Sequence, residues 1–170
     1  MNARRSTALL LLAALGLLAA ATACSGQDGD GSEVGPTGTA LTQSDSQGGV
    51  RIDVAWVTPD TLGKLDSEKA RGYGLEDYVL LEVRFTTHSG DLSRLDMVAL
   101  SAVRVGGQEY TPQAWASISD DSHHRAGVLV FARKSPDGVS LDEGPVELVM
   151  RGIAGVPERV FRWQWPERSG

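Results

Sequence analysis

The chain has 170 residues and 41% hydrophobic content, enough for one domain with a core of its own. Its single cysteine excludes an internal disulfide, a CxxC redox pair and any multi-cysteine zinc site. With 16 Lys+Arg against 22 Asp+Glu the formal net charge is −6, which argues against nucleic-acid partners, whose phosphates need clustered cations.

Arg4 and Arg5 precede an apolar run, Ala8 to Ala23, broken only by Gly16 and Thr22. A basic start followed by such a run is the pattern of an export signal. The 16 residues of the run fall short of the roughly 20 that span a bilayer as a permanent helix. Directly afterwards, Ala21-Thr22-Ala23-Cys24 sets small residues before the only cysteine. This stretch resembles the lipobox of bacterial lipoproteins, with Ala21 where leucine is commoner in that family. The resemblance implies a signal peptide over residues 1–23, cut by signal peptidase II before Cys24. It also implies diacylglycerol on the sulfur and a fatty acyl group such as palmitate, holding the chain to the cell membrane on its extracytoplasmic side. A secreted protein cut at Ala-x-Ala and an uncleaved anchor helix are the competing readings. Losing Arg4 and Arg5 reduces 16 basic residues to 14 against 22 acidic ones, a mature charge of −8. The membrane is therefore a partner through lipid, because two acyl chains hold a protein stably and no basic patch is present to assist.

Ser25 to Gly49 contains seven glycines, no aromatic residue and no Lys or Arg, with acids at Asp28, Asp30, Glu33 and Asp45. Composition of this kind buries too little apolar surface to offset ordering entropy, so residues 24–49 are expected to form a flexible tether. All ten aromatic residues follow it, which sets the folded domain at residues 50–167.

Val50 to Trp56 alternates apolar and polar residues, the mark of a half-buried strand, and Tyr78 to Thr87 repeats the pattern. Ala99 to Val105 and Gln108 to Thr111 flank Gly106-Gly107, which suits a two-residue hairpin turn. Ala126 to Ala132, Val146 to Met150 and Val160 to Trp165 complete seven short strands. No segment carries a helical stripe. The spacing predicts an all-β fold, an antiparallel immunoglobulin-like β-sandwich, with a small barrel as the alternative. Thr58 to Glu76 is too long for a bare loop; it holds either a short helix capped by Asp60 or Thr61, or an extra edge strand. Trp56, Trp163 and Trp165 fall on the buried face of their strands.

The sequence carries no nucleophile elbow, no phosphate-binding GxxxxGK[ST], no GxGxxG and no HExxH, so it reads as a non-enzyme. One polar cluster stands out, Asp120-Asp121-Ser122-His123-His124-Arg125, before the strand that starts at Ala126. Antiparallel reversals bring His88, which follows the strand ending at Thr87, to the same end of the sandwich. Imidazoles with a nearby carboxylate suit copper or zinc, so His88, His123, His124, Asp120 and Asp121 form a candidate metal site, to which Met97 adds a thioether for copper(I). The bland reading makes them ordinary polar loop residues. Trp115, in the predicted loop from Pro112 to Arg125, either anchors a ligand or partner or plugs the end of the sandwich. Thirteen Arg against three Lys suits a high-GC bacterium such as an actinobacterium. The expected role is that of an extracytoplasmic lipoprotein whose sandwich binds an unidentified protein or small ligand, the alternative being copper or zinc handling.

Overall fold

A computed structural model describes residues 40–166. Period-two alternation builds the strands where the sequence places them, and two more join them. In chain order they are β1 (Thr42–Gln47), β2 (Val50–Trp56), β3 (Tyr78–Thr87), β4 (Ser101–Val105) and β5 (Gln108–Tyr110). After these come β6 (Ala114–Asp120), β7 (Arg125–Ala132), β8 (Pro145–Arg151) and β9 (Glu158–Gln164). All pairings are antiparallel. One sheet runs β1-β2-β3-β7-β6 and the other β5-β4-β8-β9. Leaving β1 aside, that is the strand order of an immunoglobulin-type sandwich, so the fold is the all-β sandwich the alternation predicts. Inward residues of both sheets, among them Ile52, Val83, Phe85 and Phe131 opposite Leu148, Met150, Phe161 and Trp163, form one buried core.

The segment from Thr58 to Glu76 contains two short helices, α1 (Pro59–Leu62) and α2 (Glu68–Arg71), and no edge strand. Its N-cap is Thr58 rather than Asp60 or Thr61, because Pro59 takes the first helical position; the Thr58 N–H donates to Thr61 Oγ1 at 2.8 Å. Ser67 caps α2 by accepting from the Ala70 N–H at 3.2 Å. Leu65 and Ala70 lie fully buried with Leu80, Ala116, Val128 and Val130, and Leu62, Tyr73 and Leu75 pack around them. This segment thus covers the part of the outer face of the five-stranded sheet formed by β3, β7 and β6. A third helix, α3 (Met97–Leu100), takes two residues expected in strand, Ala99 and Leu100. Asp96 Oδ1 accepts from the N–H groups of Val98 and Ala99, both at 3.2 Å, and starts the helical turn.

Two strands depart from expectation. The last part of the predicted tether is β1, paired with β2 from Thr42–Ala55 to Gln47–Val50 through a Gly48-Gly49 turn. Both glycines have positive φ, 54° and 73°, and a Cβ on Gly48 would lie 2.6 Å from the Ala154 carbonyl oxygen. No β1 side chain is fully buried, so apolar composition gives no sign of the strand. Polar bonds hold it instead. Arg159, 1% exposed, donates from Nη1 to Asp45 Oδ1 at 2.7 Å and to the Val50 carbonyl at 3.2 Å. Its Nη2 donates to the carbonyl of Gln47 at 2.9 Å. The Gln43 side-chain amide meanwhile bonds the backbone of Arg162 in both directions, tying β1 to the edge of the other sheet.

The second departure is β6. Residues read as loop pair with β7 from Ala114–Val130 to Asp120–Arg125, with a bulge between Ser117 and Ser119. Its small and polar residues hide the alternation that large ones would display.

Removing one partner of a buried ion pair strands the other, so Arg159→Met is expected to cost about 3 kcal/mol. Asp45→Asn keeps the carbonyl acceptors of Arg159 and is expected to cost about 1 kcal/mol. Urea unfolding of the two variants measures the difference, and the arginine variant should be the weaker.

Candidate functional site

The strand reversals do bring the three histidines to one end. The Thr87 N–H donates to the His123 carbonyl at 3.0 Å and the Leu92 N–H to the Ser122 carbonyl at 3.0 Å. The connection after β3 is thereby stitched to the β6–β7 turn. Arg125, 5% exposed, fixes the same two segments from below. Its Nη1 donates to the carbonyls of Leu92 at 3.0 Å and Leu95 at 2.6 Å, while Nε donates to Asp120 Oδ1 at 3.1 Å. Its guanidinium also lies 5.4 Å from the centroid of the Trp115 ring, within cation–π range.

His88, His123 and His124 are all exposed on this platform, but the expected ligand set does not assemble around them. Asp120 is engaged by Arg125 and by Ser117 Oγ at 2.6 Å. Asp121 Oδ1 accepts from the N–H groups of His123 at 2.8 Å and His124 at 3.0 Å, which hold its carboxyl below the ordinary value in that order. Met97 is 1% exposed, inside the core. Among the described residues no group of three or more His, Cys, Asp or Glu could hold a metal ion. Side-chain donors engage the Asp120 carboxylate, and backbone amides engage that of Asp121.

Trp115 belongs to β6 and not to a loop. Its ring lies over Gly127 of β7, where a Cβ would come within 2.3 Å of the Trp115 Cζ2 atom. The ring is half-buried against the inter-sheet core. Sequence reasoning passed over Arg125 and Asp91, both of which shape this platform. Asp91 Oδ1 accepts from the Ser93 N–H at 2.9 Å and from Ser93 Oγ at 2.6 Å. Those bonds, and more weakly the charge of His123, keep its carboxyl below the ordinary range.

The opposite end is built differently. Trp56, Trp163 and Trp165 are buried there as their strand parity predicts, with Trp56 5.4 Å from Trp163 and 4.7 Å from Trp165. The β7–β8 connection, residues 133–144, borders a concavity beside Tyr110 and Thr111 and two more next to the tryptophans and the Gly106-Gly107 turn. Of the latter two, one, of about 530 Å³, opens beside the Gly106-Gly107 turn; the other, of about 160 Å³, lies among Trp56, Leu75, Arg133, Asp142 and Trp165.

The outer face of the four-stranded sheet carries a balanced ladder of Arg104, Arg151 and Arg162 against Glu109, Glu147 and Glu158. Arg151 first, then Arg104, hold the Glu109 carboxyl down to about 2. No known protein family, curated protein or solved structure matches the chain. Cys24 and the expected signal segment lie outside the described residues.

Two measurements check this account. Asp121→Ala should raise hydrogen-exchange rates of the His123 and His124 amides, and more weakly that of Thr87. For Glu109, whose folded value lies below the ordinary 4.5, the stabilising effect is complete above pH 4.5 and disappears as pH falls toward about 2. Arg151→Gln should raise its carboxyl titration, followed by NMR, back toward 4.5.

Proposed function

We propose that this protein is an extracytoplasmic lipoprotein, anchored to the cell membrane through Cys24, whose sandwich acts in binding rather than catalysis. The anchoring half of this reading rests on Arg4-Arg5, the apolar run and Ala21-Thr22-Ala23-Cys24. The observation that carries the binding half is the way the chain enters the sandwich. The Leu41 carbonyl accepts from the Trp56 N–H at 2.9 Å and from Trp163 Nε1 at 3.3 Å. The described chain therefore enters the sandwich at the tryptophan end. Strand β1 then runs the length of the sheet to Gln47, opposite Val50, which pairs with Thr87 at the histidine end. The stitched loops at that far end are the surface assigned to a partner outside the cell. Loops positioned by a rigid scaffold are where such folds carry recognition. The step from platform to partner is an analogy at the level of the fold.

Mass spectrometry of the native product tests the anchor. A diacylglyceryl cysteine at position 24 and loss of residues 1–23 are expected, with Cys24→Ser shifting the protein out of the membrane fraction. An intact leader or a bare thiol overturns it. For the platform, a photo-crosslinking residue at position 124 should capture one defined species in native membranes, whereas one at Lys64, exposed between α1 and α2, should not. Equal labelling from both positions contradicts the assignment.

A further inference from the structure

We infer that β1 is a releasable strap, which swings off the edge of β2 about Gly48-Gly49 while the other eight strands stay folded. Those eight already make a complete sandwich, because β1 only extends one edge of the five-stranded sheet. The buried core takes no residue from β1. Register shows why. The β1 residues that share a face with buried Val54, Ile52 and Val50 are Gln43, Asp45 and Gln47. An inward face of two amides and a carboxylate gains almost nothing from leaving water. The apolar contribution at this end comes from Leu41, half-buried just before the strand.

What holds β1 is polar and gathered at few points. Its ladder bonds to β2 are joined by Arg159, which grips Asp45 and the Gln47 carbonyl, and by Gln43 on the backbone of Arg162. Release strands little. Arg159 keeps the carbonyls of Val50 at 3.2 Å and Ile153 at 3.4 Å, and β2 becomes an edge strand open to water. Backbone bonds lost at an open edge are replaced by bonds to water, so their net loss is small. The hinge is a pair of glycines with positive φ, and no Cβ hinders its swing. Segments with few buried apolar contacts and solvent-facing backbone bonds are those that open below the global unfolding transition.

The consequence is a change of attachment point. With β1 docked, the described chain enters at Leu41, beside Trp56 and Trp163. With β1 released, it enters at Val50, beside Thr87 at the histidine end, about 20 Å away along β2. Residues 41–49 then become up to about 30 Å of additional chain. Under the membrane-anchored reading, release turns the histidine platform from the remote end of the sandwich into the attached one. The strap itself does not rest on that reading, and no membrane is needed to detect it.

Native-state hydrogen exchange of the full chain in detergent, followed by NMR across sub-denaturing urea, tests the strap. Neighbouring amides report separately. The Trp56 N–H donates to the Leu41 carbonyl at 2.9 Å, whereas the Val57 N–H donates to the Leu80 carbonyl of β3 at 3.0 Å. Strand alternation points the Ile52 and Val54 amides toward β1 as well. The Arg162 N–H, bonded to Gln43 Oε1 at 3.0 Å, follows β1 from the other sheet. Ile52, Val54, Trp56 and Arg162 should exchange together, at least about tenfold faster than Val57 and the β7 amides, and with a weaker urea dependence. Fraying of the strand end would free Trp56 alone and contradict the unit. Asp45→Asn, which loosens the grip of Arg159, should speed the strap set about fivefold. Val103→Ala, in the core on β4, weakens docked and released forms alike. It should speed the β7 amides at least about fivefold and leave the strap set unchanged. One common rate and urea slope for all these amides, or equal acceleration by Val103→Ala, overturns the proposal. If Val103→Ala does not fold, the urea dependence in the unaltered chain decides the matter alone.

Discussion

Strand β7 buries every side chain from Arg125 to Phe131, which obliges the protein to cover both faces of the sheet it runs through. The four-stranded sheet covers one face, where Leu129 and Phe131 meet Leu148 and Phe161. The other face, with Val128 and Val130, would be an open apolar surface without the segment between β2 and β3. That segment is long because it has a face to cover: Leu65, in the link between the two helices, and Ala70 of α2 are buried against it, with Leu62 of α1 packed beside them. A two-layer sandwich becomes locally three-layered. The uncovered part of the sheet, around Arg51, Asp53, Glu82 and Arg84, carries charged pairs in place of apolar residues.

Much of this was legible from period-two alternation, since the seven strands with large apolar residues stand where the pattern places them. The two that escaped did so for different physical reasons. In β1, ordering comes from ladder bonds, a glycine turn and a distant arginine, none of which leaves a local mark on Thr42–Gln47. In β6, Ala114 and Ala116 suffice because the facing surface is already filled by Val128, Val130 and the helices, so the apolar signal is faint. Strand pairing supplied the order in both cases, and pairing depends on partners remote in sequence.

The histidine end shows where counting directions succeeds and where counting ligands fails. Strand reversal is topological, so His88 and His123 could be assigned to one end without knowing any side-chain geometry. Ligation depends on where each carboxylate finds its nearest donor. In Asp121-Ser122-His123-His124 the side chain of Asp121 reaches the amides two and three residues on, the ordinary behaviour of Asp in a turn. That local bond was readable from the spacing and competes directly with a metal for the same oxygen. Arg125 was harder to recognise, because its acceptors Leu92 and Leu95 lie some thirty residues away.

Three arginines share one pattern: Arg159 with Asp45, Arg125 with Asp120, and Arg133 with Asp142. Such pairs are weak evidence of stabilisation, since desolvation offsets most of the attraction. Backbone accounting explains two of them better. Turns and strand ends withdrawn from water present carbonyls with no ladder partner, and each must find a donor. Arg159 serves the carbonyls of Gln47 and Val50, and Arg125 those of Leu92 and Leu95, so each guanidinium gathers a whole turn in one plane. A lysine ammonium is a compact, strongly hydrated point charge and lacks this planar fork. Arg133 differs in that its guanidinium pairs with the Asp142 carboxylate rather than gathering a turn, while Nε is buried without a partner among the described residues in Arg133 and Arg159 alike. The same planar fork thus gathers the turns at Gln47 and Leu92, whereas at Arg133 it meets a carboxylate.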